Sequence, residues 1–329
     1  MSGNSNTWSL VLAAGDGSRL RSLTTAASGL TVPKQFCSLY AGPSLLHEAL
    51  RRAHAVTAED RTCVIVARQH RRWWDGTLRR LPGENLIVQE RNRGTGLGIL
   101  LPLLHVLARD PQARLVLLPS DHHVRQEALL IRALEQALEQ LEWRLHETLL
   151  LGVRPEELDP DLGYIVPGCG DDLGALRVER FVEKPSAAIA SQLIRAGGLW
   201  NTFIIAATGR ALLELFRRRF PEIVSVLSVA LDRDRRTGAA GGAVAELYEK
   251  LPNVDFSEDI LAGQVSDLRV LPVPPCGWSD LGTPKRVLDA LRRTPMPTVS
   301  PVVHSGVGYL SLADQQLRLR SAPGVGRTV

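Results

Sequence analysis

Cysteine is scarce. The chain has four in 329 residues, Cys37, Cys63, Cys169 and Cys276, and no two stand as Cys-x-x-Cys. That spacing argues against a zinc site. A chain of this length also needs no disulfide framework, so four reduced thiols in structural roles are expected. No apolar run approaches the ~20 residues that cross a bilayer. Nor does a basic region followed by an apolar one open the chain. The expected location is cytoplasmic, with no membrane partner. The net charge is only +4. The basic runs Arg217-Arg218-Arg219 and Arg233 to Arg236 lack interleaved aromatics. They read as solvated helix faces, and no nucleic-acid partner is expected. Internal repeats are missing too, including the hexapeptide repeat of a left-handed β-helix.

What the chain does have is alternation. Strand-like apolar runs fall at Ser9 to Ala13, Cys63 to Ala67, Leu86 to Gln89, Leu115 to Leu118 and Thr148 to Val153. Helix-like stretches lie between them, at Leu45 to Ala55, Gln69 to Leu81, Gly96 to Ala108 and Gln126 to Leu141. In the last, Leu130, Leu134, Ala137, Leu138 and Leu141 recur at helical spacing. This pattern predicts an α/β fold, a Rossmann-like, mostly parallel mixed sheet with helices on both faces. Strands apolar throughout are strands buried on both sides. After Val153 come β-like pieces at Gly163 to Val166 and Leu176 to Val182, then a helix from about Ser186 to Ala196. A strand near Phe203 to Ala207 and helices to about Lys250 follow. This half is expected to extend the same sheet and add a lid-like portion. From Arg293 onward the chain is rich in Pro, Gly, Ser and Val and reads as a tail, residues 293–329.

The segment from Leu10 to Phe36 carries the strongest chemical signal. An apolar run ends at Ala14, the chain turns through Gly15, Asp16 and Gly17, and Ser18, Arg19 and later Pro33-Lys34-Gln35-Phe36 follow. Glycine allows positive φ and a close approach of backbone to ligand. A turn rich in free N–H groups suits an anion, and two cations suit a polyphosphate better. No Gly-Lys-Ser/Thr closes the turn, so it is not a P-loop. No third glycine completes a dinucleotide fingerprint. The layout is that of a site for a nucleoside triphosphate.

This segment resembles the signature of the sugar-1-phosphate nucleotidyltransferases, and its Pro-Lys-Gln-Phe ending resembles their mannose-1-phosphate guanylyltransferase branch. The resemblance continues through Leu118-Pro119-Ser120-Asp121-His122, Gly163-Tyr164-Ile165, Val182-Glu183-Lys184-Pro185, Trp200-Asn201 and Trp278-Ser279-Asp280-Leu281-Gly282-Thr283. It implies one catalytic domain over residues 1–292, with a nucleotide-binding part to about 153 and a sugar-binding part from about 154. The implied reaction joins an NTP, GTP favoured, to a sugar 1-phosphate, mannose 1-phosphate favoured, and releases pyrophosphate. Other base and sugar pairs, such as glucose 1-phosphate with UTP or dTTP, stay open. So do a catalytically silent nucleotide-sugar-binding subunit and a homodimer.

The chemistry sets its own demands. The attacking phosphate has a second pKa of ~6, so no general base is required at neutral pH. The protein must offset repulsion between two polyanions and hold them in line. Arg19 and Lys34 are the candidate catalytic cations, neutralising the triphosphate and the leaving group. Asp121 and Asp280 match the family's metal-binding positions and would hold Mg²⁺, with phosphate oxygens and water completing the shell. Either aspartate alone reads equally as a cap or turn residue. Ala14, Gly15, Gly17, Ser18 and Arg19 are assigned to the nucleotide, as are Gly94 and Thr95 under the base. Gln89, with one donor and one acceptor end, suits a base edge. Lys184 is assigned to the sugar phosphate, Glu183 and Asn201 to sugar hydroxyls, and Gly163 to close approach of the sugar. His122 reads as a hydrogen-bonding support, and His123 receives no role.

Several residues depart from the family pattern. Asp16 puts a negative charge in the phosphate turn. Arg21 replaces an aromatic residue, and Gly96-Leu97-Gly98 replaces Ala-Pro-Ala. Thr202 replaces Ser, and Phe203-Ile204 stands where Gly-Met is usual.

Overall fold

The computed structural model describes residues 6–40, 42–238, 242–294 and 310–321, the last five without their side chains. Its main feature is a nine-stranded sheet of β1 (Thr7–Ala13), β2 (Thr62–Ala67), β3 (Leu86–Gln89), β4 (Arg114–Pro119), β6 (Thr148–Val153), β7 (Tyr164–Gly170), β8 (Leu176–Val182), β9 (Leu199–Thr208) and β10 (Leu268–Val273). Two short strands, β5 (His123–Val124) and β11 (Trp278–Ser279), pair outside it. The sheet order is β3-β2-β1-β4-β9-β6-β10-β8-β7. The first four strands are mutually parallel. β9 then runs antiparallel to both β4 and β6, and the far end is mixed.

The expected α/β architecture is observed, with parallel pairing concentrated in the half that precedes β6. Alternation along the strands divides the core in two. Val11, Val64, Val116, Leu118 and Leu149 face one layer of helices, which includes Leu45–His54 and Glu127–Gln140. Leu10, Ile65, Leu115, Leu117 and Leu150 face the other, which includes Gly94–Leu107 and Gly209–Arg219. Of the five residues at helical spacing, Leu130, Leu134, Ala137 and Leu141 are buried and Leu138 is half-buried.

The differences from expectation have local causes. The stretch expected as one helix over 69–81 forms a short 3-10 turn, Arg68–His70, and a helix confined to Arg71–Thr77. Gly76 weakens a helix interior, and Pro82 follows shortly after. β10 escapes sequence reading because Pro272 lies inside it and proline argues against a central strand. Here β8 pairs with β10 only at Arg269 and Val270, so the missing N–H of Pro272 costs no bond on that side. The helix Pro284–Arg293 opens on a start signal, Thr283 as N-cap before a first-turn proline, and Leu312–Ser321 falls in the stretch expected as a tail. The second docks through Ser38, whose N–H donates to Leu310 O and whose carbonyl accepts from Leu312 N–H. Most of the stretch read as a tail, 295–309 and 322–329, lies outside the described residues. The arginines of 217–219 are exposed, as a solvated face requires. All four cysteines are free.

Candidate active site

β1 and β4 are parallel neighbours, with β2 and β3 continuing on one side of the pair and β9 on the other. In open α/β sheets the crevice beyond strand carboxyl ends at such a reversal is where ligands bind. Ala14 and Gly15 follow β1 there, and Ser120, Asp121 and His122 follow β4. Ser120 ties the two ends together, its hydroxyl donating to Leu12 O at 2.7 Å. Gln35 donates its amide to both Ala13 O and Gly15 O at 2.9 Å.

A cleft of about 400 Å³ opens at this point, within the size range of small-molecule sites. Ala14, Gly15, Arg19, Gln89, Gly94, Thr95, Asp121, Gly163, Glu183, Lys184, Asn201 and Asp280 all line it. Of the residues assigned from sequence, Gly17, Ser18 and Lys34 do not.

The two signature glycines differ in role. Gly15 is not in the left-handed region, and a Cβ built there meets nothing within 4 Å. It leaves open room at the cleft. Gly17 has φ +60°, and a Cβ there would lie 3.0 Å from Lys34 Cβ. It serves the close approach of the turn to the lysine segment. Asp16 is not among the residues lining the cleft. Its carboxylate accepts from Gln69 Nε2 at 3.1 Å and Asn92 Nδ2 at 3.2 Å, with His70 Nε2 at 3.4 Å.

Lys34 lies beneath the cleft, 5 % exposed. Its ammonium sits 2.7 Å from Asp121 Oδ2 and donates to Asp280 O at 2.6 Å. The two aspartates, far apart in sequence, are adjacent in space. β5 and β11 explain how: Ser279 pairs with His123 and Trp278 with Val124, so the residues flanking this ribbon meet. Asp280 Oδ1 accepts from Arg286 at 2.5 Å and from Gly282 N–H at 3.0 Å. Its Oδ2 faces the Arg19 guanidinium at 3.9 Å. Arg286 also holds Asp159 Oδ2 at 2.6–2.7 Å.

Burial alone would raise the Asp121 carboxyl, but the Lys34 ammonium beside it holds it below the usual range. Burial likewise opposes ionisation of Asp280, and Arg286 followed by Lys34 outweighs it. Burial pushes His122 down to about 4, so the imidazole is neutral at physiological pH. His122 Nδ1 has no partner, its Nε2 lies 3.6 Å from Asp121 Oδ1, and the ring packs edge-on against Trp278 at 5.3 Å. Asp121 does not cap the following helix. The helix after Asp280 is capped by Thr283.

At the far side Glu183, Lys184, Gly163 and Asn201 cluster. A Cβ on Gly163 would lie 2.5 Å from Glu183 Oε2, so the room this glycine leaves is filled by that carboxylate. Gly163 O accepts from Asn201 N–H at 2.8 Å. Burial raises the Glu183 carboxyl, and Lys184 Nζ, 3.5 Å away, counters it only in part.

On the base side Gln89 is 1 % exposed, and its Nε2 is an unpartnered donor. Gly94 has φ +84°, and a Cβ there would fall 2.2 Å from Val254 O. The Thr95 hydroxyl accepts from Phe256 N–H at 2.8 Å.

Sequence reasoning missed Asn92, Asp255, Ser257 and Phe203 as lining residues, and Gln35 and Arg286 as supports. Gln35 sits within a recognised motif. No local signal marks Arg286, whose partners come from two other segments. Three non-glycine residues among those described have positive φ, Lys184, Phe203 and Leu281. Two line the cleft and the third follows Asp280. Such strain clusters at functional sites.

The nucleotidyl transferase family profile matches residues 8–295. The chain belongs to this family. Among curated relatives, Xanthan biosynthesis protein XanB of Xanthomonas campestris is 27 % identical over 284 residues, 85 % of this chain and 58 % of XanB. Alginate biosynthesis protein AlgA of Pseudomonas aeruginosa is 25 % identical over 285 residues, 85 % and 57 %. Mannose-1-phosphate guanylyltransferase 2 of Escherichia coli O157:H7 is 28 % identical over 295 residues, 83 % and 58 %. The chain thus spans under three fifths of these relatives' length. Among solved structures, one described as a mannose-1-phosphate geranyltransferase from Thermus thermophilus is 29 % identical with TM-score 0.73. That match covers 89 % of this chain and 81 % of the other. No helix among the described residues is long and apolar enough to cross a membrane.

Proposed function

We propose that this chain transfers a nucleotidyl group from an NTP to a sugar 1-phosphate and releases pyrophosphate, with GTP and mannose 1-phosphate as the favoured pair. One observation carries the reading. Arg19, Asp121, Glu183-Lys184 and Asp280, from four separate segments, line a single cleft at the carboxyl ends of β1 and β4, with Lys34 beneath it and a glycine turn beside it that leaves room for a phosphate.

In this reading Arg19 faces the triphosphate at the mouth of the cleft. Lys34 acts from below, holding the Asp121 and Asp280 segments together. Gly15 lets the phosphates lie against the backbone. Gln89 offers its unpartnered N–H to a carbonyl oxygen on the base edge, which guanine, uracil and thymine possess and adenine and cytosine lack at the corresponding position. Lys184 pairs with the sugar phosphate, and Glu183 and Asn201 with sugar hydroxyls. The acceptor phosphate is already anionic at neutral pH, so the residues supply alignment and charge rather than a base.

Asp121 and Asp280 fit a divalent cation such as Mg²⁺. Magnesium is commonly held by one or two carboxylates, with substrate phosphates and water completing its octahedron. Among the described residues no cluster of three or more metal-ligating side chains occurs. When bound, the ion would supply positive charge to the phosphates.

The test is pyrophosphate release across four NTPs and several sugar 1-phosphates, with and without a chelator. Release with GTP and mannose 1-phosphate, lost on chelation, supports the reading. No release with any pair, together with retained binding of a nucleotide sugar, overturns it in favour of a silent binding subunit.

A further inference from the structure

Phe203 is placed at a conformational cost. Its φ is +58°, a region where a bulky residue is an outlier and glycine is relaxed. The strain arises at an irregularity between β9 and β6. Leu150 pairs with Ile205 and Gly152 with Asn201, so Thr202, Phe203 and Ile204 stand opposite Leu151 alone. Thr202 closes the gap by donating its hydroxyl to Leu151 O at 2.6 Å. Phe203 N–H donates to Asn201 Oδ1 at 3.1 Å, which fixes the Asn201 amide.

The ring lines the same cleft as Asn201, Glu183 and Lys184. It is braced from behind. Phe256, fully buried, meets it edge-on at 6.0 Å and in turn packs against Phe216 at 5.6 Å. An aromatic ring set against a buried ring that is itself packed on another swings aside less readily than a lone surface side chain. A strained backbone that carries a braced ring into a cleft points to a use for the ring.

We propose that Phe203 is a specificity-determining residue. Its ring takes up space that a glycine would leave open, so that the cleft admits an unsubstituted hexose 1-phosphate and excludes one with a bulky ring substituent such as an acetamido group. This rests on the nucleotidyltransferase reading above. The apolar face of a sugar ring suits contact with an aromatic face, while a polar acetamido group there would have to be desolvated against it.

The experiment compares kcat/KM for mannose 1-phosphate and N-acetylglucosamine 1-phosphate, by pyrophosphate release, in the wild-type chain, Phe203→Gly and Phe203→Leu. Leucine keeps apolar volume against Phe256 and removes only the flat ring, so it serves if the glycine variant fails to fold; thermal melting reports that. The ratio favouring mannose 1-phosphate should narrow by roughly tenfold in Phe203→Gly, the scale of pocket-shape discrimination, and by less in Phe203→Leu. Wild-type turnover with the ratio unchanged in the folded variants overturns the role of Phe203 alone. A wild-type chain that releases no pyrophosphate with any pair overturns the underlying reading, and this proposal with it.

Discussion

Replacing Arg286 with methionine tests the electrostatic frame of the site. One guanidinium bridges two carboxylates, Asp280 at 2.5 Å and Asp159 at 2.6–2.7 Å, and all three side chains are largely buried. At ~4 Å between charge centres and an effective dielectric of ~20, each attraction is worth ~4 kcal/mol gross. Part of that is cancelled by desolvation. Breaking a buried pair from one side, which strands the partner charge, costs ~3–5 kcal/mol. We expect Arg286→Met to lose about 4 kcal/mol, a large share of a typical total of ~5–15 kcal/mol. With a urea m-value of ~3 kcal/mol/M, the midpoint falls by ~1.3 M. The loss depends on pH, and its sign follows from Asp280. In the wild type its folded pKa lies below the ordinary aspartate value of 3.8, so its stabilising contribution is present above that value and lost as pH falls through the folded one. In the variant, burial is no longer outweighed by Arg286 and the folded pKa rises, so protonation relieves the buried charge. The deficit should be largest near pH 7 and shrink toward pH 4. Urea unfolding at both pH values decides it. A deficit under 1 kcal/mol, or one independent of pH, refutes the reasoning.

Glu183 carries the opposite sign. Burial raises its folded pKa above 4.5, so the ionised side chain destabilises the fold at neutral pH and not below the unfolded pKa. Glu183→Gln should melt higher than the wild type at pH 7, with the difference gone at pH 4, as calorimetry can show. Gly94→Ala should cost roughly 2 kcal/mol or more in urea unfolding, since its Cβ falls 2.2 Å from Val254 O at positive φ. Gly15→Ala, whose Cβ meets nothing, should stay within ~0.5 kcal/mol of wild type while weakening nucleotide binding. Lys184→Ala should raise the KM for sugar phosphate with little change in kcat; an unchanged KM would mean that Lys184 contacts something else.

The parallel half of the fold was legible because its strands are unbroken apolar runs separated by helical periodicity. Leu86–Gln89 matches residue for residue. Legibility fails where pairing is long-range or strained. Pro272 hides β10, and the two-residue strands β5 and β11 are too short for any period to register. Yet that ribbon brings Asp121 beside Asp280. The motifs named much of the cleft's lining but not Asn92, Phe203, Asp255 or Ser257, and not its supports. Lys34 was readable as a cation, and its burial between two aspartate segments was not. The same holds for Asp16, whose charge looked placed to face phosphate and instead joins Gln69, His70 and Asn92.

Carboxylates outnumber cations at the site. Arg19, Lys34, Arg286 and Lys184 each lie within 4 Å of a carboxylate, and Asp121, Asp159, Asp280 and Glu183 are joined by Asp161 and Asp255, which line the cleft. A triphosphate approaching this cleft therefore meets oriented dipoles and paired cations, with little net positive field to draw it in. Positive charge must arrive with the nucleotide or be released from the aspartates. A divalent ion held by Asp121 and Asp280 would do both, since it would compete with Lys34 for the Asp121 carboxylate. Titration calorimetry with GTP should then show binding in excess Mg²⁺ and a loss of at least about tenfold, ~1.4 kcal/mol, in chelator. Asp121→Asn should weaken that dependence on the ion. It should also tighten binding in chelator relative to the wild type, because Lys34 is freed from its partner. Equal GTP affinity with and without Mg²⁺ would mean that the paired cations suffice, and the assignment of the two aspartates to a metal would fall.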